Sequence, residues 1–331
     1  MPGFSDVLGH NHIIEYFKHA IEEDRISHAY IFHGEAGSGK KMMARLFSMA
    51  LQCEEDGSEP CTKCRSCKQA ASGNQPDIKW VTHEKPTTIS VEDVRSQIVN
   101  DVDIKPYSSR YKIYIVEDAQ MMTQQAQNAL LKTIEEPPEY VVILLLSTNK
   151  DIFLQTVLSR CVLLDFKPLP AAELKKYLMD NLQVTDYKAD VAVAFSGGNM
   201  GKAMKLAASE HFSELKENVL QVVKFIDRMD TPQVVDAVKR VSVYKLEVDD
   251  YLDLMSMWYR DVLMYKVSRN VGDLIFKDEY KYISEQASKF SYEGTEKVLD
   301  AIYKVKTRLK ANVNFDLTIE LMLLTIKENM G

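Results

Sequence analysis

Hydrophobic positions fall into two regimes along this chain. Through about residue 166, short runs rich in β-branched and aromatic residues alternate with segments of helical spacing: AYIF (29–32), IKWV (78–81), KIYIV (112–116), VVILLLS (141–147) and VLLDF (162–166). Continuous apolar runs of this length read as strands buried on both faces, and strands separated by helices predict a mostly parallel sheet covered by helices. One intervening helix is legible in detail. Thr123 is its N-cap, Leu130, Leu131 and Ile134 share a face, and EEPP ends it, because Pro137 and Pro138 lack an amide donor and restrict the residue before them. The next strand is expected from about Tyr140. Beyond FKPLP (166–170) strand signals stop, and amphipathic helical patterns run first over 171–208 and then past ASEHFSE to the last residues. Leu254, Trp258, Val262 and Tyr265 make one stripe and Leu317, Leu321 and Leu324 another, and both read as helix-bundle core.

Composition narrows the class without changing that picture. The 331 residues have room for two or three domains, and 46% hydrophobic with 27% charged residues is an ordinary globular balance. The longest apolar run, YVVILLL at 140–146, is far shorter than the roughly 18 residues of a membrane span, and the N-terminal residues are mixed polar, so a soluble cytoplasmic protein with no membrane partner is expected. A formal net charge of −7, from 41 basic and 48 acidic residues, argues against a zinc-bearing nucleic-acid module acting alone.

Three constellations carry candidate chemistry. The first is HGEAGSGKK (33–41), with Gly34, Gly39 and Lys40 where a phosphate-gripping loop of the form G-x-x-x-x-G-K-[ST] needs them and Gly37 within the loop as a further candidate phosphate contact, after a strand and before a helix. Such a loop delivers backbone amides and a helix N-terminus to a phosphate, with the lysine as point charge. Lys41 stands where a Ser or Thr hydroxyl would ligate magnesium, and an ammonium there has no oxygen to offer the metal. The sequence leaves open whether ATP or ADP binds. The second is KIYIVED, whose strand should end in an Asp that holds the metal shell, followed by a Glu that polarises water; here Glu117 precedes Asp118, displacing each carboxylate by about one C–C bond. Thr148 and Asn149, after the buried run 141–147, are placed to face a terminal phosphate, and Arg160 lies between a helical segment and a strand. The third is Cys53-x7-Cys61-x2-Cys64-x2-Cys67, four thiolates that suit a closed tetrahedral structural zinc site; Cys161 stands apart.

SHAYIFHGEAGSGK, the four-cysteine insert, NALLKTIEEPP and LSRC, in this order, resemble the AAA+ clamp-loader subunits of bacterial DNA polymerase III over about 1–205, and MWYRDVL (257–263) resembles the C-terminal region of one member. The resemblance implies an α/β RecA-like AAA+ core at 1–166 with a zinc module at 53–67, a helical lid at 167–208 and an all-α helical collar for oligomerisation at 209–331. It implies that Arg160 is an arginine finger donated to a neighbour's ATP, and that Lys202, in SGGNMGKAM, replaces an Arg that contacts nucleotide in active members. It further implies gamma/tau and delta subunits, the sliding clamp and primer-template DNA as partners. With Lys41, the reversed acids and Lys202 all departing while Arg160 is intact, the expected role is a non-catalytic, stator-like subunit in clamp loading, with zinc as its cofactor. The alternative is an active ATPase of the gamma/tau type. The chain's length is expected to fit a member without the further sequence that motor subunits carry after their collar.

Overall fold

The computed structural model describes residues 3–55, 57–311 and 313–330. Met1, Pro2, Asp56, Asn312 and Gly331 lie outside them, so the outermost ends of the expected first and last domains and one position of the cysteine insert are not described. The chain divides into two compact units, 1–169 with Asn199–Gly201, and 170–198 with 202–331.

The first unit holds, in order, α1 (Asn11–Glu22), β1 (Ala29–His33), α2 (Lys40–Leu51), α3 (Arg65–Ser72), β2 (Ile78–Val81), α4 (Val91–Val94), β3 (Lys112–Val116), α5 (Gln124–Glu135), β4 (Val141–Ser147), α6 (Gln155–Leu158) and β5 (Val162–Asp165). Among the described residues the strands form one sheet in the order β2-β3-β4-β1-β5, every pairing parallel. The strand expectations hold, and Thr123 caps α5 by accepting the Ala126 amide at 3.1 Å. Alternate residues of one strand enter different cores: Val142, Leu144 and Leu146 of β4 join Tyr30, Phe32, Phe17 and Phe47, whereas Val141, Ile143 and Leu145 join Ile31, Tyr114, Leu130 and Ile134. Covering both faces is what makes uninterrupted apolar runs the signature of these strands.

Buried charge in this unit is hydrogen-bonded or paired. Asp101 Oδ2 receives Lys79 at 2.6 Å, Lys112 at 2.8 Å and the Tyr114 hydroxyl at 2.7 Å. Burial pushes the Asp101 carboxyl up, but hydrogen bonds from Lys112, Lys79 and Tyr114 outweigh it and hold the group at about 2. Asp77, nearly fully buried, accepts the Tyr107 and Ser108 amides at 2.6 and 2.9 Å and fixes the loop before β3.

The second unit is helical: α7 (Ala171–Leu182), α8 (Asp186–Ser196), α9 (Met200–Ala208, which begins in the first unit), α10 (Glu210–Phe225), α11 (Thr231–Val243), α12 (Val248–Ser268), α13 (Tyr280–Lys289), α14 (Tyr292–Lys310) and α15 (Phe315–Glu328). Val191 and Phe195 of α8 share one apolar cluster with α10 to α15, so the boundary expected at 208 falls inside this unit. MWYRDVL packs it together. Trp258 Nε1 donates to Gln286 Oε1 at 2.8 Å, Gln286 Nε2 donates to the Val223 carbonyl at 2.6 Å, and buried Asp261 accepts the Ile275 and Phe276 amides at 2.7 and 2.8 Å. The stripe Leu254, Trp258 and Val262 is fully buried, with Tyr265 packed against the cluster. The second stripe needs correction: Leu317 and Leu321 are 53% and 46% exposed, and α15 instead buries Phe315, Ile319, Met322, Leu323 and Ile326. The stripe of Asp316, Glu320 and Lys327 splits that helix into two apolar faces, and packing against α11 and α14 selects the one offset from the leucines. No helix among the described residues is long and apolar enough to cross a membrane.

Asp101→Asn leaves Lys112 without its charged partner and is expected to lower unfolding free energy by about 3 kcal/mol in denaturant titrations. The Asp101 carboxyl sits below its ordinary value of about 3.9, so the stability it contributes is complete above about pH 4 and is lost as pH falls through about 2. The variant should show less acid sensitivity across that window than the parent.

Candidate functional site

The glycine loop joins the end of β1 to the start of α2, and its turn needs glycine: Gly37 and Gly39 hold φ of 85° and 99°, a region costly for other residues. The Gly34 amide donates to the Ser147 carbonyl at 3.2 Å, fixing the loop to the end of β4. Lys40, 9% exposed, sends Nζ to the Gly34 and Glu35 carbonyls at 2.6 and 2.7 Å. Burial lowers its pKa, opposed by the nearby charges of Asp118, Glu117 and Glu35. The segment Asn199–Gly201 packs on the loop: Asn199 Nδ2 donates to the Ala36 carbonyl at 2.7 Å and to Glu35 Oε2 at 3.2 Å, and the Gly201 amide donates to the Gly37 carbonyl at 3.0 Å. A Cβ on Gly201 would lie 2.9 Å from the Gly37 backbone, so only glycine permits this approach.

The two departures at the metal positions meet each other. Lys41 Nζ donates to Glu117 Oε2 at 2.6 Å, and the ammonium also stands 5.2 Å over the Trp80 ring. The residue in place of a metal-ligating hydroxyl is thus bonded to the residue in place of a metal-ligating aspartate. A magnesium ion does not fit this arrangement, since it would have to displace an ammonium from its carboxylate and then sit beside that like charge. Asp118 follows at φ 50°, and Gln120 bridges the strand ends, donating to Asp118 Oδ1 at 3.0 Å and accepting the Thr148 amide at 3.1 Å. Thr148 and Asn149 are exposed beside the loop, and the Ser147 hydroxyl turns the chain there by bonding the Asn149 carbonyl at 2.8 Å.

Sheet polarity separates Arg160 from these groups. Tyr30 pairs with Val162 and His33 with Asp165, so Arg160 precedes the first residues of β5 at the edge opposite the glycine loop. Its guanidinium is 40% exposed, with Nη1 donating to the Thr156 carbonyl at 3.0 Å and to Ser159 Oγ at 3.2 Å, and Nη2 3.1 Å from Glu135 Oε1. Lys202 belongs to the second unit, where its ammonium stands 4.6 Å over the Phe195 ring.

Cys53, Cys61, Cys64 and Cys67 converge with all four Sγ atoms within 4.8 Å of one another. A zinc tetrahedron with bonds of about 2.3 Å has sulfur-to-sulfur edges of roughly 3.8 Å, so the set fits a metal ion such as zinc. Amides of Cys61, Cys64 and Cys67 donate to the sulfurs of Cys53, Cys61 and Cys64 at 3.4, 3.3 and 3.3 Å, and Cys64 also caps α3. The Cys64 and Lys63 amides pull the Cys61 thiol down to about 7, while burial pushes Cys53 and Cys67 up. Metal binding requires thiolates, so the preformed amide shell favours the ligating form at Cys61.

Sequence reasoning treated Lys41 and Glu117 as separate departures and missed Asn199, Gln120, Trp80 and Glu135. The opposite charges of Lys41 and Glu117 were a usable signal once a strand-loop-helix and a neighbouring strand end were assigned. Asn199 and Glu135 had none, because their partners lie far away in sequence.

Residues 9–170 match the family described as DNA polymerase III, delta subunit, and 210–328 match the C-terminal family of the same description. The chain is 30% identical to the DNA polymerase III subunit delta' of Bacillus subtilis, over 96% of this chain and 95% of the relative. It is 25% identical to a DNA polymerase III subunit gamma of Buchnera aphidicola from Schizaphis graminum, over 97% of this chain and 94% of that one, so length does not separate the subunit types. A solved gamma subunit-related protein of Thermotoga maritima is 20% identical, with 96% of this chain and 99% of the other covered at a TM-score of 0.44. On these matches, the chain belongs to the delta-prime family of AAA+ clamp-loader subunits of DNA polymerase III.

Proposed function

We propose that this chain is a stator-like component of the clamp loader, assembled in the cytoplasm with gamma/tau and delta subunits, that helps to place the sliding clamp on primer-template DNA without turning over ATP itself. The observation that carries the reading is the 2.6 Å Lys41–Glu117 pair, which commits both magnesium-ligand positions to each other. Asp118 and Glu117 then serve no hydrolytic role, and Gly34, Gly37, Gly39, Lys40, Thr148, Asn149 and Lys202 are remnants of a nucleotide site. Arg160 supplies the chemistry. Its position at the far edge of the sheet puts it out of reach of the chain's own loop, and an exposed guanidinium can stabilise charge on a phosphoryl group in a neighbouring subunit. In this layout 1–166 is the AAA+ core, 167–208 the lid and 209–331 the collar, and zinc held by the four cysteines folds the insert.

The intact glycines and Lys40, with the likeness to gamma subunits, favour a second reading, an active ATPase of the gamma/tau type. Clamp- and DNA-stimulated ATP hydrolysis by the assembled loader separates the two. Arg160→Ala in this chain is expected to lower turnover at the adjoining motor site by about 10³-fold or more, while Lys40→Ala leaves it unchanged. Damage from Lys40→Ala with a silent Arg160→Ala would establish the second reading instead.

Purified protein is expected to hold one zinc per chain by elemental analysis. Cys64→Ser should lose the metal and expose amides around 53–72 to rapid hydrogen exchange while those of β1, β3 and β4 stay protected. Metal-free protein with a protected insert would contradict the structural role.

A further inference from the structure

Arg160 is held from two elements, and the second contact is the informative one. Its Nη1 is tied to its own segment through the Thr156 carbonyl and Ser159 Oγ. Two bonds to one nitrogen fix a pivot and allow the plane to swing about it. The third point comes from Glu135, whose Oε1 lies 3.1 Å from Nη2.

Glu135 is placed with unusual definition for an exposed acid. It is the last residue of α5, which must stop there because Pro137 and Pro138 follow. The buried Gln127 of the same helix grips the segment leading into α6, donating to the Ile152 carbonyl at 3.2 Å and accepting the Leu154 amide at 2.8 Å. The two elements that carry Glu135 and Arg160 are therefore locked to each other by a satisfied buried carboxamide. An ion pair as exposed as this one adds little to stability, so its effect lies in geometry.

Resting on the reading of Arg160 as a group that acts on a neighbour, we propose that Glu135 is a positioning residue, which fixes the plane of the half-exposed Arg160 guanidinium before the neighbouring subunit docks. Reaching a phosphoryl group in trans otherwise requires a long side chain to be ordered during the chemical step, and a misplacement on the order of an ångström can cost a hundredfold in rate.

The test uses the assembled loader, with clamp- and DNA-stimulated ATP hydrolysis as readout and this chain carrying each variant. Glu135→Ala is expected to lower kcat at the adjoining site by roughly tenfold with KM for ATP unchanged, the pattern of an interaction made only in the transition state. The melting temperature of the isolated chain should not move. Glu135→Gln, which keeps an acceptor for Nη2, should recover most of the rate, and Glu135→Ala added to Arg160→Ala should cost nothing further. A damaging Arg160→Ala with Glu135→Ala silent or accelerating would overturn the positioning role alone; a silent Arg160→Ala would remove the trans reading and this inference with it.

Discussion

A parallel sheet has two unlike ends, and most of what this protein can do chemically follows from that polarity. Because the five strands run the same way, their carboxyl ends gather the glycine loop, Glu117, Asp118, Thr148 and Asn149 at one edge. The chain enters β5 at the other edge, and Arg160 stands there. Five residues of strand at about 3.3 Å each separate the edges by roughly 16 Å, well beyond the reach of one side chain. The apolar layers on both faces keep the polarity rigid, since slipping a strand by one residue would exchange Val142, Leu144 and Leu146 with Val141, Ile143 and Leu145 between two filled cores.

At the loop edge, the glycines serve a purpose that does not depend on a phosphate. Gly37 and Gly201 let two backbones touch, Asn199 ties down the Ala36 carbonyl, and Lys40 satisfies the Gly34 and Glu35 carbonyls. The loop is held by its own hydrogen bonds, in a backbone geometry that a nucleotide cradle also uses. The Lys41–Glu117 pair differs in kind. At about half exposure for each partner it contributes little to folding, yet it sets an ammonium against the Glu117 carboxylate, where a metal would need a free oxygen ligand. An interaction of small energy can still decide the chemistry when it occupies the place of a charged group.

Legibility in the sequence tracked how uniquely local pattern fixes environment. All five strands were readable because two covered faces demand unbroken apolar runs, and α5 because Thr123 and the two prolines mark both ends. The face of α15 was not, because apolar faces on either side of Asp316, Glu320 and Lys327 leave phase to its neighbours, so Leu317 and Leu321 point outward. The cysteine cluster was readable from spacing, as α3 places Cys64 and Cys67 three residues apart on its first turn. Pairs such as Asp101 with Lys79 and Glu135 with Arg160 were hidden, each being a contact made by topology between residues whose individual exposure the sequence cannot state.

On the reading proposed for Arg160, the same topology would let a subunit that is chemically inert alone be consequential in an assembly. Stabilisation by an arginine of about 10³ to 10⁵ in rate corresponds to roughly 4–7 kcal/mol of barrier. That is several times the worth of any exposed ion pair in this chain. It is realised only where a phosphoryl group meets the guanidinium, and the sheet forbids that meeting within one chain. On that reading, the Lys41–Glu117 pair costs the fold little, whereas removing Arg160 would forfeit several kcal/mol, and loosening its hold through Glu135 about 1.4 kcal/mol, in a neighbour's transition state. On the same reading, the constraint on this molecule lies less in its own pocket than in the accuracy with which one edge of its sheet presents a single cation.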